Sequence, residues 1–117
     1  MVGIEHDGET QTNKGDMFNM ILQDGTRSDN AMKLNGLVHN RYDYFLPENK
    51  KITAVTIVYN YHCILGFRFH LSDGSNWDIG DVRDYVRGET VDIADNEVIV
   101  GFKAKSHPTC PAAYVEW

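Results

Sequence analysis

The sequence has no long apolar run, no glycine-rich phosphate loop, little proline and almost no cysteine, and each shortage removes a class of protein. No stretch reaches the roughly 20 apolar residues that a spanning helix needs, so membrane insertion is not expected. A basic amino-terminal region leading into an apolar segment is missing as well. No export signal is therefore visible, and the expectation is a protein that stays in the cytoplasm or is secreted in mature form. Basic residues are scarce and scattered: 11 Lys and Arg against 17 Asp and Glu leave a formal net charge of −6. A nucleic-acid groove needs a basic excess on one face, so no nucleic-acid partner is expected. Two cysteines, Cys63 and Cys110, allow at most one disulfide, and two free buried thiols are the favoured expectation. Only 3 prolines and 2 tryptophans occur in 117 residues.

What is present is β patterning. Apolar residues make up 42% of the chain and charged residues 24%, ordinary values for one globular domain spanning residues 1–117. Ile52-Thr53-Ala54-Val55-Thr56-Ile57-Val58-Tyr59 is rich in β-branched residues, which fit a pleated, half-buried surface. Phe67-Arg68-Phe69-His70-Leu71 alternates apolar with polar. Val98-Ile99-Val100-Gly101-Phe102-Lys103-Ala104 has the form of a buried strand. Apolar spacing of the helical kind is not sustained anywhere. The nearest candidate, Asn30 to Asn35 closed by Gly36, gives one or two turns.

The chain also repeats itself. Residues 18–29 and 67–78 agree at Phe18/Phe67, Leu22/Leu71, Asp24/Asp73, Gly25/Gly74 and Asp29/Asp78. Alternating apolar residues make one buried strand face. Asp-Gly then reverses the chain, because Asp bonds its own backbone and Gly takes φ > 0 without steric cost. A second pair follows: Leu46-Pro47-Glu48-Asn49 before Ile52, and Ile93-Ala94-Asp95-Asn96 before Val98. Cys110 and Tyr114 stand 47 residues after Cys63 and Phe67, which predicts a third copy opening near the carboxyl end. Asp7-Gly8-Glu9-Thr10 is then expected to supply that copy's turn and to bring the two ends of the chain together. The predicted fold is all-β, a β-prism-like set of Greek-key antiparallel sheets with a pseudo-threefold internal repeat.

These segments resemble a known family. Ile52 to Ile57, Ile64 to Ser75, Glu89 to Ile93 and Asn96 to Gly101 resemble the central block of jacalin-like lectins over about 50 residues. That resemblance implies a β-prism of three four-stranded sheets, binding of mannose- or galactose-type glycans, and no metal or cofactor. The family's late Gly-x-x-x-Asp sugar loop does not carry over, since Gly101 is followed at position 105 by Lys.

Several residue groups are candidates for chemistry. Asp24 and Asp29, like Asp73 and Asp78, bracket an Asp-Gly turn. Two carboxylates are too few for Ca²⁺ without further oxygens, so a hairpin turn is the simpler reading. His62-Cys63 and His107-x-x-Cys110 supply zinc-type ligands, but neighbouring residues on a strand point to opposite faces. No metal and no catalytic set is therefore predicted, and the chain is not expected to be an enzyme. Trp77, just past a turn, is the leading candidate for ligand stacking, although a core-lid role is the favoured reading of it. Asp73, Asp78, Asp81, Arg83 and Tyr85 are the polar candidates around it, the last three in a charged connector between Gly80 and Glu89. The expected function is a lectin-type module that binds a glycan without catalysis, with homo-oligomerisation a possibility. The competing expectation is a protein-interaction or assembly domain of the same fold without a sugar site.

Overall fold

The computed structural model describes residues 1–13, 17–28, 32–33, 40–60, 63–83, 87–107 and 110–116. Among these the protein is all-β, with ten strands and no helix. The strands are β1 (Gly3–His6), β2 (Met17–Ile21), β3 (Met32–Lys33), β4 (Tyr42–Phe45), β5 (Ile52–Asn60), β6 (Cys63–Leu71), β7 (Asn76–Gly80), β8 (Arg87–Asp92), β9 (Lys103–His107) and β10 (Cys110–Glu116). Of the expected short helix, only Met32 and Lys33 are described, and they form β3; its other residues lie outside the described set.

Two four-stranded antiparallel sheets share one strand order, β3-β2-β1-β4 in the first and β7-β6-β5-β8 in the second. Each is a Greek key, with the fourth strand returning beside the first. β9 and β10 form a separate two-stranded ribbon.

The repeat seen in the sequence is reproduced bond for bond at the turns. Leu22 N donates to Thr26 O at 2.8 Å, and Leu71 N to Ser75 O at 2.9 Å. Gly25 N donates to Leu22 O at 2.9 Å, and Gly74 N to Leu71 O at 3.0 Å, so the step is 49 residues throughout. Asp24 Oδ1 accepts from Thr26 N at 2.9 Å, and Asp73 Oδ1 accepts from Ser75 N at 2.9 Å. Gly25 and Gly74 have φ of 88° and 87°, a region closed to most side chains. The fourth strands dock alike as well: Leu46 N bonds Val2 O at 2.8 Å and Ile93 N bonds Thr53 O at 2.9 Å.

Both sheets send side chains into one core. Ile4, Phe18 and Met20 come from the first sheet, and Val55, Phe67, Phe69, Trp77 and Ile79 from the second. Phe18 meets Phe67 edge to face, with centroids 5.3 Å apart and planes at 90°. Such a pair contributes beyond the area it buries. His6 is also fully buried, stacked on Phe18 at 4.8 Å. Its ring nitrogens face Met17 O at 3.3 Å and Asn13 O at 2.9 Å.

Three expectations need correction. Val98 to Phe102 is not a buried strand: the ladder starts at Lys103, and Val98 and Val100 stand exposed. Asp7 to Thr10 does not complete a third copy, because β1 pairs with β2 and β4 and this segment connects it to β2. The connector instead crosses to the second sheet. Gly80 N donates to Gln11 O at 2.8 Å, Gln11 Nε2 to Asp78 O at 2.8 Å, and Tyr44 Oη to Gly8 O at 3.3 Å. Finally, Cys63 is disulfide-bonded rather than free, and the sequence holds one other cysteine.

Candidate functional site

The strand ends define two poles. At one pole the connector just described joins the ends of β1 and β7. At the other, the starts of β1 and β5 meet the ends of β2, β4 and β8, and a cleft of about 480 Å³ opens between them. Its floor is aliphatic, with Leu22, Leu46, Ile52, Ile93 and Ile99. Its rim is polar, with Gln23, Asp24, Lys50, Lys51 and Glu97. The repeat explains the floor: Leu22 closes the first turn, and Leu46 and Ile93 directly follow the two fourth strands, so equivalent apolar residues gather at one end.

The segment after β8 forms one wall. A turn at Ala94 to Glu97 closes with Glu97 N bonding Ala94 O at 2.9 Å, and Glu97 Oε1 accepts from Ala94 N at 2.9 Å. Ile99 points inward, while Val98 and Val100 are 74% and 73% exposed at the cleft. The Met1 amino group donates to Ile99 O at 2.7 Å and ties this wall to the first sheet.

The rim charges are partly paired. Lys50 Nζ lies 2.9 Å from Asp73 Oδ2. The Ser75 hydroxyl, then Lys50, hold the Asp73 carboxyl well below the usual carboxylate range. The Thr26 side chain and amide also lower the pKa of the Asp24 carboxyl. Lys51 Nζ bonds Asp95 O.

The ligand residues expected from the sequence are not gathered here. Trp77 is 6% exposed and packs on Phe69, with centroids 5.1 Å apart, so its ring face belongs to the core. The strand period decides this, because Trp77 pairs across with Phe69 and Phe69 faces inward. Asp78 therefore points outward, where Arg68 clasps it through two bonds of 2.9 and 3.1 Å. Asp73 sits at the cleft pole but is bound up in its own turn. Asp81 and Arg83 lie beyond the other end of β7, where Asp81 Oδ1 accepts from Arg83 N at 3.1 Å. The five residues of β7 separate the two groups by about 17 Å at strand rise. Tyr85 lies outside the described residues.

The paired carboxylates do not converge on a cation either: Asp73 and Asp78 have separate partners, and Asp29 lies outside the described residues. Among the described residues no group of three His, Cys, Asp or Glu side chains is arranged for a metal. The Cys63 disulfide removes its thiolate from the His-Cys set.

Two polar clusters escaped the sequence reading. Glu5 and Asn19, both buried, bond each other at 3.0 Å, and Arg27 reaches Glu5 at 2.9 Å while gripping Asp43 through both nitrogens. On the outer face of the second sheet, Thr56 Oγ1 lies 2.7 Å from His70 Nε2 and 2.9 Å from Thr90 Oγ1. Both clusters link neighbouring strands, and neither opens into the cleft. Comparison with protein-family models finds no match, and comparison with curated proteins finds none.

Proposed function

We propose that the chain is a non-catalytic binding module of β-prism architecture that receives a polypeptide partner in its polar-rimmed cleft. The β-prism part rests on the ribbon. Cys110 pairs with His107 as Cys63 pairs with Asn60, 47 residues earlier. Both hairpins also carry a register shift past this first pair, between Val58 and Tyr59 in one and between Cys110 and Tyr114 in the other. On this reading β9 and β10 are the third copy of the opening hairpin, and the molecule carries three related sheets about one core.

The binding part rests on one observation: Val98 and Val100 stand exposed on either side of buried Ile99 at the mouth of an aliphatic cleft. Burying a valine side chain is worth roughly 1.5–3 kcal/mol. A pair left in water beside an apolar hollow marks a surface suited to a partner. A polypeptide supplies apolar side chains for the floor and charges for Asp24, Lys50 and Glu97.

The second reading is the lectin, implied by the jacalin-like resemblance. Gln23, Asp24, Lys50 and Glu97 favour it, since such groups on turns bind sugar hydroxyls. One array bearing both extended peptides and glycans separates the two. Peptide binding lost in Val98→Asp/Val100→Asp is the expected result. Glycan binding blocked by free monosaccharide, with silent peptides, replaces this reading with the lectin.

A further inference from the structure

We infer that the partner is a cationic apolar segment of polypeptide, aliphatic residues bracketed by Lys or Arg, whose positive charges meet Asp24 and Glu97 on the rim of the cleft. The inference rests on the reading of the cleft as a polypeptide site, and it adds the charge of the partner.

The rim's own cations are already engaged. Lys50 Nζ lies 2.9 Å from Asp73 Oδ2. Lys51 Nζ bonds Asp95 O and lies 3.9 Å from Asp95 Oδ1. The Met1 amino group donates to the Ile99 carbonyl. The two carboxylates that line the cleft are not matched in this way. Asp24 Oδ1 accepts from Thr26 N and Glu97 Oε1 from Ala94 N, each within its own turn. Among the described residues no Lys or Arg side chain pairs with either. The repeat shows what is missing. Asp73 is the counterpart of Asp24 in the second turn, with the same bond to its own backbone, and it has a lysine where Asp24 has none.

Asp24 belongs to the turn after β2 and Glu97 to the segment after β8, so each sheet brings one unmatched negative charge to a cleft with an aliphatic floor. Glu97 directly precedes the exposed Val98. The stem of a Lys or Arg is apolar and its head charged, so one such side chain covers the valine and meets the carboxylate together. The formal net charge of −6 draws a cationic partner from a distance.

Three pools of labelled extended peptides share a centre of Leu and Ile and are flanked by Lys, by Gln or by Glu. Fluorescence anisotropy follows their binding to the full chain at low ionic strength, and to Asp24→Asn/Glu97→Gln. Asn and Gln keep the oxygens that accept from Thr26 and Ala94, and an unchanged thermal melt shows that the variant folds. The Lys pool should bind at least about tenfold more tightly than the Glu pool, because two attractive pairs are exchanged for two repulsive ones. That preference should shrink in high salt and fall to within about twofold in the variant, with binding of the Gln pool unchanged. Equal binding of the Lys and Glu pools overturns the cationic partner but leaves polypeptide binding in the cleft standing. Tighter binding of the Glu pool overturns it too and gives the rim to Lys50 and Lys51. A Lys preference that survives intact in the variant overturns the roles of Asp24 and Glu97. No binding of any pool at millimolar concentration overturns both the charge and the polypeptide reading.

Discussion

The contact between Phe18 and Phe67 is where the two repeats become one molecule, and a double-mutant cycle measures it. Both rings are buried, at 0% and 1% exposure, and they meet edge to face at 5.3 Å. Replacing either by leucine keeps the site apolar but removes the ring edge. Each single change should cost about 1–2 kcal/mol, between a tolerated apolar swap and a full truncation. An aromatic pair adds about 0.5–1.5 kcal/mol beyond its area, and that part is lost once, with whichever ring goes first. Phe18→Leu/Phe67→Leu should therefore cost about 0.5–1.5 kcal/mol less than the sum of its parts. A domain of ordinary stability, about 5–15 kcal/mol, survives the pair of changes and remains measurable. Urea unfolding at 25 °C, followed by tryptophan fluorescence, gives the four free energies. Additivity within about 0.3 kcal/mol, the behaviour of distant sites, would refute a core shared by the two sheets.

Three further outcomes follow from the same geometry. Gly25→Ala and Gly74→Ala should each cost about 1–2 kcal/mol, and equally, because both positions have positive φ and open space around an added Cβ. Thermal melts of the two variants test this, and a large difference between them would deny the equivalence of the turns. The folded state holds the Asp73 carboxyl below its ordinary value of 3.8, so its contribution is complete above that pH and fades as acid protonates the folded form. Asp73→Asn should flatten the loss of stability between neutral pH and pH 3 in urea titrations, and an unchanged acid slope counts against the turn as drawn. Reducing the Cys63 disulfide should lower stability by about 2–4 kcal/mol, measured by melts with and without dithiothreitol.

The sheets were legible where the signal was local. Phe18 and Phe67, each followed by an Asp-Gly turn, reveal strand and reversal together, because turn chemistry and period-2 burial need no knowledge of distant chain. Trp77, beside the turn, reads both as a core lid and as a ligand-stacking residue, and the structure gives it the core place. Its spacing from Ile79, two residues on and also buried, carries that orientation. Val98 to Ala104 shows the opposite limit: an apolar run declares a strand, but the tertiary arrangement decides where its ladder begins, here at Lys103. Glu5 and Asn19 were invisible as buried groups because their cover comes from residues far along the chain, Arg27 and Asp43 among them. The cleft itself has no sequence motif, being assembled from segments far apart in the chain, such as Met1 and Ile99, which are 98 residues apart.

The crossing of the β1–β2 connector onto β7 makes the molecule mechanically lopsided. Gly8, Gln11, Tyr44 and Gly80 clasp one pole like the pivot of a pair of tongs, while the jaws at the other pole are held by the turns and by Met1. Any breathing of the two sheets about that pivot changes the gape of the jaws most and the packing of Phe18 on Phe67 least. Amide exchange should accordingly be slowest at Gly80 and quicken toward Val98, so that the grip can adjust to what it holds without loosening the barrel of the tool.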